Sequence, residues 1–395
     1  MLAPMDFLSI KSLVACLCLL VDGSAASGTT PFVLDGNRMY AELSFVRPNG
    51  SIHRALAFVD MGSPSMEISE SLFRELKVDR RKGLRFKLGG LSIDVPASQI
   101  DGERTHPHSV GSKLQVEALL PASVLQHYQV VIDYKSRTLT LATSGTAKPT
   151  GSPVPFHLKK ETGLIAVDAS IDGKTYAVTI DNGSAYTWLT QSAVREWLKR
   201  HPEWERGVGA VGASNMMMSG DTTEMFGILV RIPEIVIGQM SLTEVGALGA
   251  SSGGGPSTNQ SLFDWYSTKN ALPVIGWIGA NVLKDYRLTI DYTNRVMYWL
   301  KEAEPDSADL DQVGLTLRSE DGAYVVASVA TKKGAPTVRG VWPGDVLVRI
   351  GDMETKSASW GDVYAALHGE PGETRRLVLE RDGRQYTVDA KVTAF

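Results

Sequence analysis

Two stretches of this chain share one unusual pattern. Residues 55–69 read ALAFVDMGSPSMEIS and residues 176–190 read YAVTIDNGSAYTWLT. Each is an apolar, β-prone run that ends in Asp-x-Gly-Ser and then returns to a mostly β-prone run. A carboxylate at the end of a buried strand is costly unless it is paired or hydrogen-bonded. Glycine lets the backbone turn sharply beside it, and serine can donate a hydrogen bond to a carboxylate oxygen. One such element is a common accident. Two in one chain point to a symmetric site in which Asp60 and Asp181 face each other, supported by Gly62, Ser63, Asn182, Gly183 and Ser184.

A second repeat supports the symmetry. SVLQHYQVVIDYKSRTLTL (123–141) and NVLKDYRLTIDYTNRVMYW (281–299) align so that Val124, Leu125, Tyr128, Ile132, Asp133, Tyr134 and Arg137 fall on Val282, Leu283, Tyr286, Ile290, Asp291, Tyr292 and Arg295. The chain therefore reads as two copies of one lobe. Each copy runs Asp motif, helix, strands, short helix and final hairpin. Asn49-Gly50 marks a hairpin that delivers a strand into Asp60, and SESLFRELKV (69–78) reads as a helix capped by Ser69 or Ser71. The second copy is longer between its Asp motif and the repeat. The excess falls in 205–227, rich in Gly and Met, and in 249–273, which carries Phe263, Trp265 and Tyr266. Long loops within a compact domain are usually functional or disordered.

With both elements in place, residues 38–300 resemble a pepsin/retropepsin-type aspartic peptidase with both Asp motifs on one polypeptide. The resemblance implies a mostly β fold of two barrel-like lobes about a pseudo-two-fold axis, lobe one at 27–147 and lobe two at 148–303. It implies an endopeptidase in which Asp60 and Asp181 activate a water against a polypeptide substrate, with no metal and no cofactor. Met216, Met217 and Met218 then sit at the tip of a flap, or pack as a surface cluster on their own lobe. Trp277-Ile278-Gly279 is similar to the family's apolar pair plus Gly that threads beside the catalytic loop, and Trp277 and Ile278 become candidate cleft residues. Lobe one has Leu119-Leu120-Pro121 there, with Pro in place of Gly. The family has Thr or Ser between Asp and Gly, where its hydroxyl ties the loops together. Here Met61 and Asn182 stand in those positions, and Met cannot donate. A two-lobed peptide-binding protein without catalysis is the competing reading. Asp133 and Asp291, in the Ile-Asp-Tyr repeats, match the family's hairpin Asp rather than its catalytic one.

The ends of the chain carry other signals. Lys11 precedes the apolar run 12–21, and small residues follow, so 1–26 reads as a secretory signal peptide. Leu13-Val14-Ala15-Cys16 also fits a lipoprotein box as a minor alternative. Cys16 and Cys18 are the two cysteines, so a processed chain has neither disulfide nor thiol chemistry, as fits secretion or a periplasm. Net charge is −4 and no basic, aromatic-interleaved patch appears, which argues against nucleic acid. No other run is long enough to span a membrane. His106 and His108 read as solvated loop residues.

Residues 304–312 read as an acidic linker. Beyond it, 313–395 resemble a PDZ domain of the kind attached to bacterial proteases, on VGLTLRSEDGAYVVASVA, GVWPGDVLVRIGD with its Gly344-Asp345, and LVLERDGRQYTV. The resemblance places Gly314, Leu315, Thr316 and Leu317 where that family holds a peptide carboxylate, with protein C-termini as partners and the peptide added as a strand. The other reading is a domain that packs on the peptidase and binds nothing.

Overall fold

Burial alternates along Ser27–Asp35, with Gly28, Thr30 and Phe32 buried and Thr29, Pro31 and Val33 exposed, as expected of a strand with one face on a core. Its first half pairs with Thr138–Ala142 and its second half with Arg38–Val46, so one strand serves two layers. The computed structural model describes residues 26–79, 81–104, 114–143, 145–146, 148–209, 223–250 and 262–395. The chain is mostly β, as the sequence implies. Among the described residues, no helix is long and apolar enough to cross a membrane.

Six strands join the lobes in the order 152–155, 296–301, 286–291, 129–133, 138–142 and 27–31. At the centre, Ile132 pairs with Leu288, Val131 with Thr289 and Val130 with Ile290. The sequence repeat places Ile132 on Ile290 and Val131 on Thr289. Exchanging the copies turns the Ile132–Leu288 pair into Ile290–Val130, which is the pair observed, and turns Val131–Thr289 into itself. A pseudo-two-fold axis therefore passes between Val131 and Thr289.

Finer details obey the same axis. The Phe32 N–H donates to the Arg137 carbonyl at 2.9 Å, and Phe156 to Arg295 at 3.0 Å. Phe32 meets Tyr134 edge-on at 5.8 Å, and Phe156 meets Tyr292 at 5.8 Å. Asp133 and Asp291 each accept a backbone N–H three residues on, at 2.8 and 3.0 Å, so both cap hairpins. One apolar core runs through both lobes.

In lobe one, Ile52–Asp60 runs parallel to Val116–Pro121. Ser69 caps the helix Glu70–Leu76 by accepting the Leu72 N–H at 3.2 Å. In lobe two, Gly276–Ile278 lies between Lys174–Ile180 and Thr187–Thr190, parallel to the first and antiparallel to the second. These two threaded strands deliver the Asp loops to the lobe interface.

Residues 313–395 form a sheet in the order 315–320, 323–329, 346–350, 374–381 and 384–391, with Met353–Glu354 paired to Val346–Ile350. The helix Trp360–Leu367 closes one face, started by a Ser359/Asp362 capping box. Asp345 holds the turn before Val346–Ile350. Burial would raise its carboxyl, but Arg381, Tyr386 and the Trp342 N–H outweigh that and bring it down to about 2.

Two expectations about this region change. Residues 309–312 are not a solvated linker, because Asp309, Leu310, Asp311 and Gln312 are buried between lobe two and the C-terminal sheet. Gly314, Leu315, Thr316 and Leu317 are buried as well, so this backbone is not presented to solvent. For 309–312 the cause is docking, whereas Leu315 and Leu317 lie in the core of the C-terminal sheet itself and a Cβ on Gly314 would meet Thr337 and Ala330. Val208 pairs with Thr331, which carries the lobe-two sheet into the C-terminal domain. Leu310, Ala330 and Phe395 share an apolar cluster with Tyr186, Trp188 and Trp277.

Candidate active site

Asp60 ends the strand Ile52–Asp60, and Asp181 follows Lys174–Ile180 directly. The axis brings them together. A Cβ on Gly62 would lie 2.3 Å from an Asp181 carboxylate oxygen, and one on Gly183 would lie 2.3 Å from an Asp60 oxygen. Each glycine is thus required by the carboxylate of the opposite lobe, not only by its own turn. The two carboxyl groups are close enough to act on each other's protonation.

Backbone amides hold each carboxylate. Gly62 N–H donates to Asp60 Oδ1 at 2.8 Å, and Gly183 and Ser184 N–H donate to Asp181 Oδ1 at 2.9 and 3.2 Å. The serine hydroxyls, expected on the outer carboxylate oxygens, turn elsewhere. Ser63 Oγ donates to the Ser65 carbonyl at 3.3 Å and Ser184 Oγ to the Tyr186 carbonyl at 2.7 Å. Each tight loop leaves a carbonyl two residues on that needs a donor, and the serine supplies it.

The middle positions form a one-sided clasp. Asn182 Oδ1 accepts the Met61 N–H at 2.8 Å, and its Nδ2 donates to the Val59 carbonyl at 3.1 Å. Met61 reciprocates only by packing in the core. Replacing Asn182 with Ala leaves a buried N–H and a buried carbonyl unpaired. Denaturant unfolding of the full chain is expected to show a loss of about 3 kcal/mol; a loss under about 1 kcal/mol would mean that water replaces the clasp.

Pro121 does not disturb its loop. Ala122 N–H donates to the Ser63 carbonyl at 3.0 Å, and Ala280 N–H to the Ser184 carbonyl at 2.8 Å, which puts Pro121 on Gly279. Pro121 has φ −92° and ψ 169°, against −94° and 179° for Gly279. Gly279 N–H donates to Thr187 Oγ1 at 3.1 Å. In lobe one the partner of that donor would be Met66, which has no acceptor to satisfy, so a residue without an N–H fits.

Burial pushes both carboxyls up. For Asp60 the Gly62 N–H, the Asp181 side chain and the Arg38 charge work against burial. For Asp181 the Asp60 charge adds to burial, so it lies well above the usual carboxylate range. Two carboxyls this close cannot both ionise cheaply, so the pair shares one proton.

Two further residues act here, of which the sequence singles out only Tyr266, as one of three aromatics in a long insertion that line the cleft or anchor the loop. Arg38 is 5% exposed, starts the strand Arg38–Val46, and lies over the Phe58 ring at 5.4 Å. Its charge acts on Asp60 and on the Tyr266 hydroxyl. Tyr266, on the helix Leu262–Lys269, packs its ring on Trp277 at 4.8 Å, and its hydroxyl is pushed up by burial and by the charges of Asp181 and Asp60. Nothing local marks Arg38, which reads as a polar residue in a strand.

The remaining candidates divide. Trp277 and Ile278 are buried and do not line an open cleft. Trp277 stacks on Trp188 at 5.3 Å, and Ile278 lies in the core beneath the loop, because their strand is paired on both sides. Met216, Met217, Met218, His106 and His108 lie outside the described residues, as does the segment 1–25 with Cys16. The base of the 205–227 loop is a ladder of Arg206–Val208 on Ile228–Ile237, closed by Gly209 N–H to the Gly227 carbonyl at 2.8 Å. Among the described residues, no cluster of His, Cys, Asp and Glu is arranged to hold a metal ion.

No protein-family model matches the chain, and no curated protein matches it. Among solved structures, it is similar to an aspartic proteinase from Irpex lacteus at 13% identity and a TM-score of 0.40, over 72% of this chain and 100% of that one.

Proposed function

We propose that the chain is an aspartic-type endopeptidase with Asp60 and Asp181 as its catalytic pair. The observation that carries this reading is the crossed packing at the axis, in which each lobe's glycine abuts the other lobe's carboxylate. Such a pair shares one proton at neutral pH. Asp60, ionised, takes a proton from a water as its oxygen attacks the scissile carbonyl carbon. Asp181, protonated, donates to the carbonyl oxygen, giving a tetrahedral diol. Asp60 then returns its proton to the leaving nitrogen as the C–N bond breaks, while Asp181 takes back a proton from a diol hydroxyl, which leaves the carboxylic acid product and restores the pair. Asn182 holds the loops in register, and Tyr266 lies beside the pair. The substrate is a polypeptide, and the chemistry requires neither metal nor cofactor.

Export as a secreted or periplasmic protein, with 1–26 removed, belongs to the same reading. So does a PDZ-type identity for 313–395. Capture of a protein C-terminus at Gly314–Leu317 then requires this segment to open, because those residues are buried. A second reading, a peptide-binding protein without catalysis, draws on Met61, which leaves the clasp one-sided.

The test is incubation of the purified chain with a mixed peptide library from about pH 3 to pH 8, with and without a statine-type inhibitor. The expected result is a set of new peptide termini that disappears with the inhibitor. Peptide binding without cleavage at any pH would establish the second reading.

A further inference from the structure

The second Asp loop is gripped from behind by Asn281 of its own lobe, which residues outside the lobe hold in turn. Asn281 Oδ1 accepts the Thr187 N–H at 2.9 Å and the Thr187 hydroxyl at 3.1 Å. The Asn281 amide donates to the Gly246 carbonyl and to Asp309 Oδ2, both at 2.8 Å, which fixes its oxygen toward the loop. Asp309 is 5% exposed, and its other oxygen takes Arg231 at 3.0 Å. A Cβ on Gly246 would lie 2.3 Å from that oxygen, so the strand is cut back to admit it. The Asp309 carbonyl meets the hydroxyls of Tyr186, from the loop, and Tyr364, from the C-terminal helix. Those two hydroxyls also meet each other.

Among the described residues, lobe one has no such strut. Ser123 occupies the place of Asn281, and its buried hydroxyl has no hydrogen-bond partner; Met66 stands for Thr187. The C-terminal helix is tied to lobe one instead at its start, where Ser359 Oγ and Gly361 N–H donate to Asp35 at 2.6 and 2.8 Å. Asn37 from the same turn donates to the Ala185 carbonyl at 3.3 Å.

We infer that Asp309 is a positioning residue for the Asp181 loop, and that residues 304–395 thereby form part of the catalytic centre rather than a tethered accessory. Asp309 acts through two arms: its carboxylate sets Asn281 against Thr187, and its carbonyl anchors Tyr186. The consequence for catalysis rests on the peptidase reading, but the effect on the loop does not.

The experiment uses the full chain and reads amide hydrogen exchange in 181–187 against 60–66, together with steady-state cleavage. Asp309→Ala is expected to speed exchange at Thr187 roughly tenfold or more while 60–66 stays within about twofold. It should lower kcat by roughly tenfold with KM held within about threefold, the split expected of lost positioning. Tyr186→Phe removes the carbonyl arm and should shift Thr187 in the same direction by roughly threefold. If Asp309→Ala does not fold, Asp309→Asn serves, since its amide would face the Asn281 amide and still release the loop. Equal changes in both loops, or none in 181–187, would overturn the inference. If wild type cuts no peptide yet Thr187 responds, the positioning role stands and the peptidase reading falls. If cleavage is normal and Thr187 exchange is unmoved in the variants, the reverse holds.

Discussion

Replacing Asp60 or Asp181 with Asn is expected to lower peptide cleavage by at least ~10³-fold in a chain that remains folded, because a proton-sharing pair cannot work with one member. Asp133→Asn is the matched control: it touches a hairpin cap and should leave the rate nearly unchanged. The same substitutions carry a signature independent of activity. Both carboxyls are raised in the folded chain, so their contribution to stability is full below the unfolded value of about 3.9 and is lost as pH rises through the folded values. Asp181→Asn should therefore melt with wild type near pH 3 and several degrees above it near pH 7. A thermal unfolding series across that range measures the difference. Equal pH slopes for variant and wild type would mean that the carboxylates do not share a proton, and undiminished cleavage would remove the aspartic mechanism altogether.

What the sequence made legible here was symmetry. The Asp-x-Gly-Ser pair and the Ile-Asp-Tyr repeats are local patterns, and the central sheet translates their alignment directly into strand register about Val131 and Thr289. The clasp was half legible, since Asn182 could be seen to donate and Met61 could not. What stayed hidden depends on contacts far apart in the chain. Tyr266 lies beside the pair only because its helix folds over Trp277. The serine hydroxyls serve their own loops, which depends on turn geometry rather than residue type. The acidic stretch read as solvated from composition, yet Asp309 and Asp311 are buried because Arg231 meets them from a strand in lobe two. Arg231 sits in ILVRIPEIVI, where a lone cation amid apolar residues gives no sign of its partners.

Arg231 accordingly offers the largest expected change in stability. Its guanidinium is 9% exposed and lies 3.0 Å from Asp309 and 3.7 Å from Asp311. It also donates to the Glu244 carbonyl at 2.9 Å and to the Phe395 carbonyl at 3.2 Å. Burial raises both acids, and Arg231 is foremost in opposing it for Asp309 and follows the Phe395 N–H for Asp311. Arg231→Met keeps the bulk and removes the charge. Two buried carboxylates then lose their nearest cation, and breaking a buried pair in this way costs about 3–5 kcal/mol. Lys284, Lys332 and His368 act on these acids more weakly. The sign of the pH effect follows. Without Arg231 the folded-state values of Asp309 and Asp311 rise further, so the variant's deficit should be largest near pH 7 and shrink toward pH 4, where both acids gain protons. Because the lost contacts join lobe two to residues 309–395, the variant should also unfold in two steps, with the C-terminal domain leaving first. Denaturant unfolding at both pH values checks this. A single transition with a deficit under about 1 kcal/mol at pH 7 would place the cohesion of the two parts in the shared sheet and the apolar cluster, with the ion pairs as bystanders.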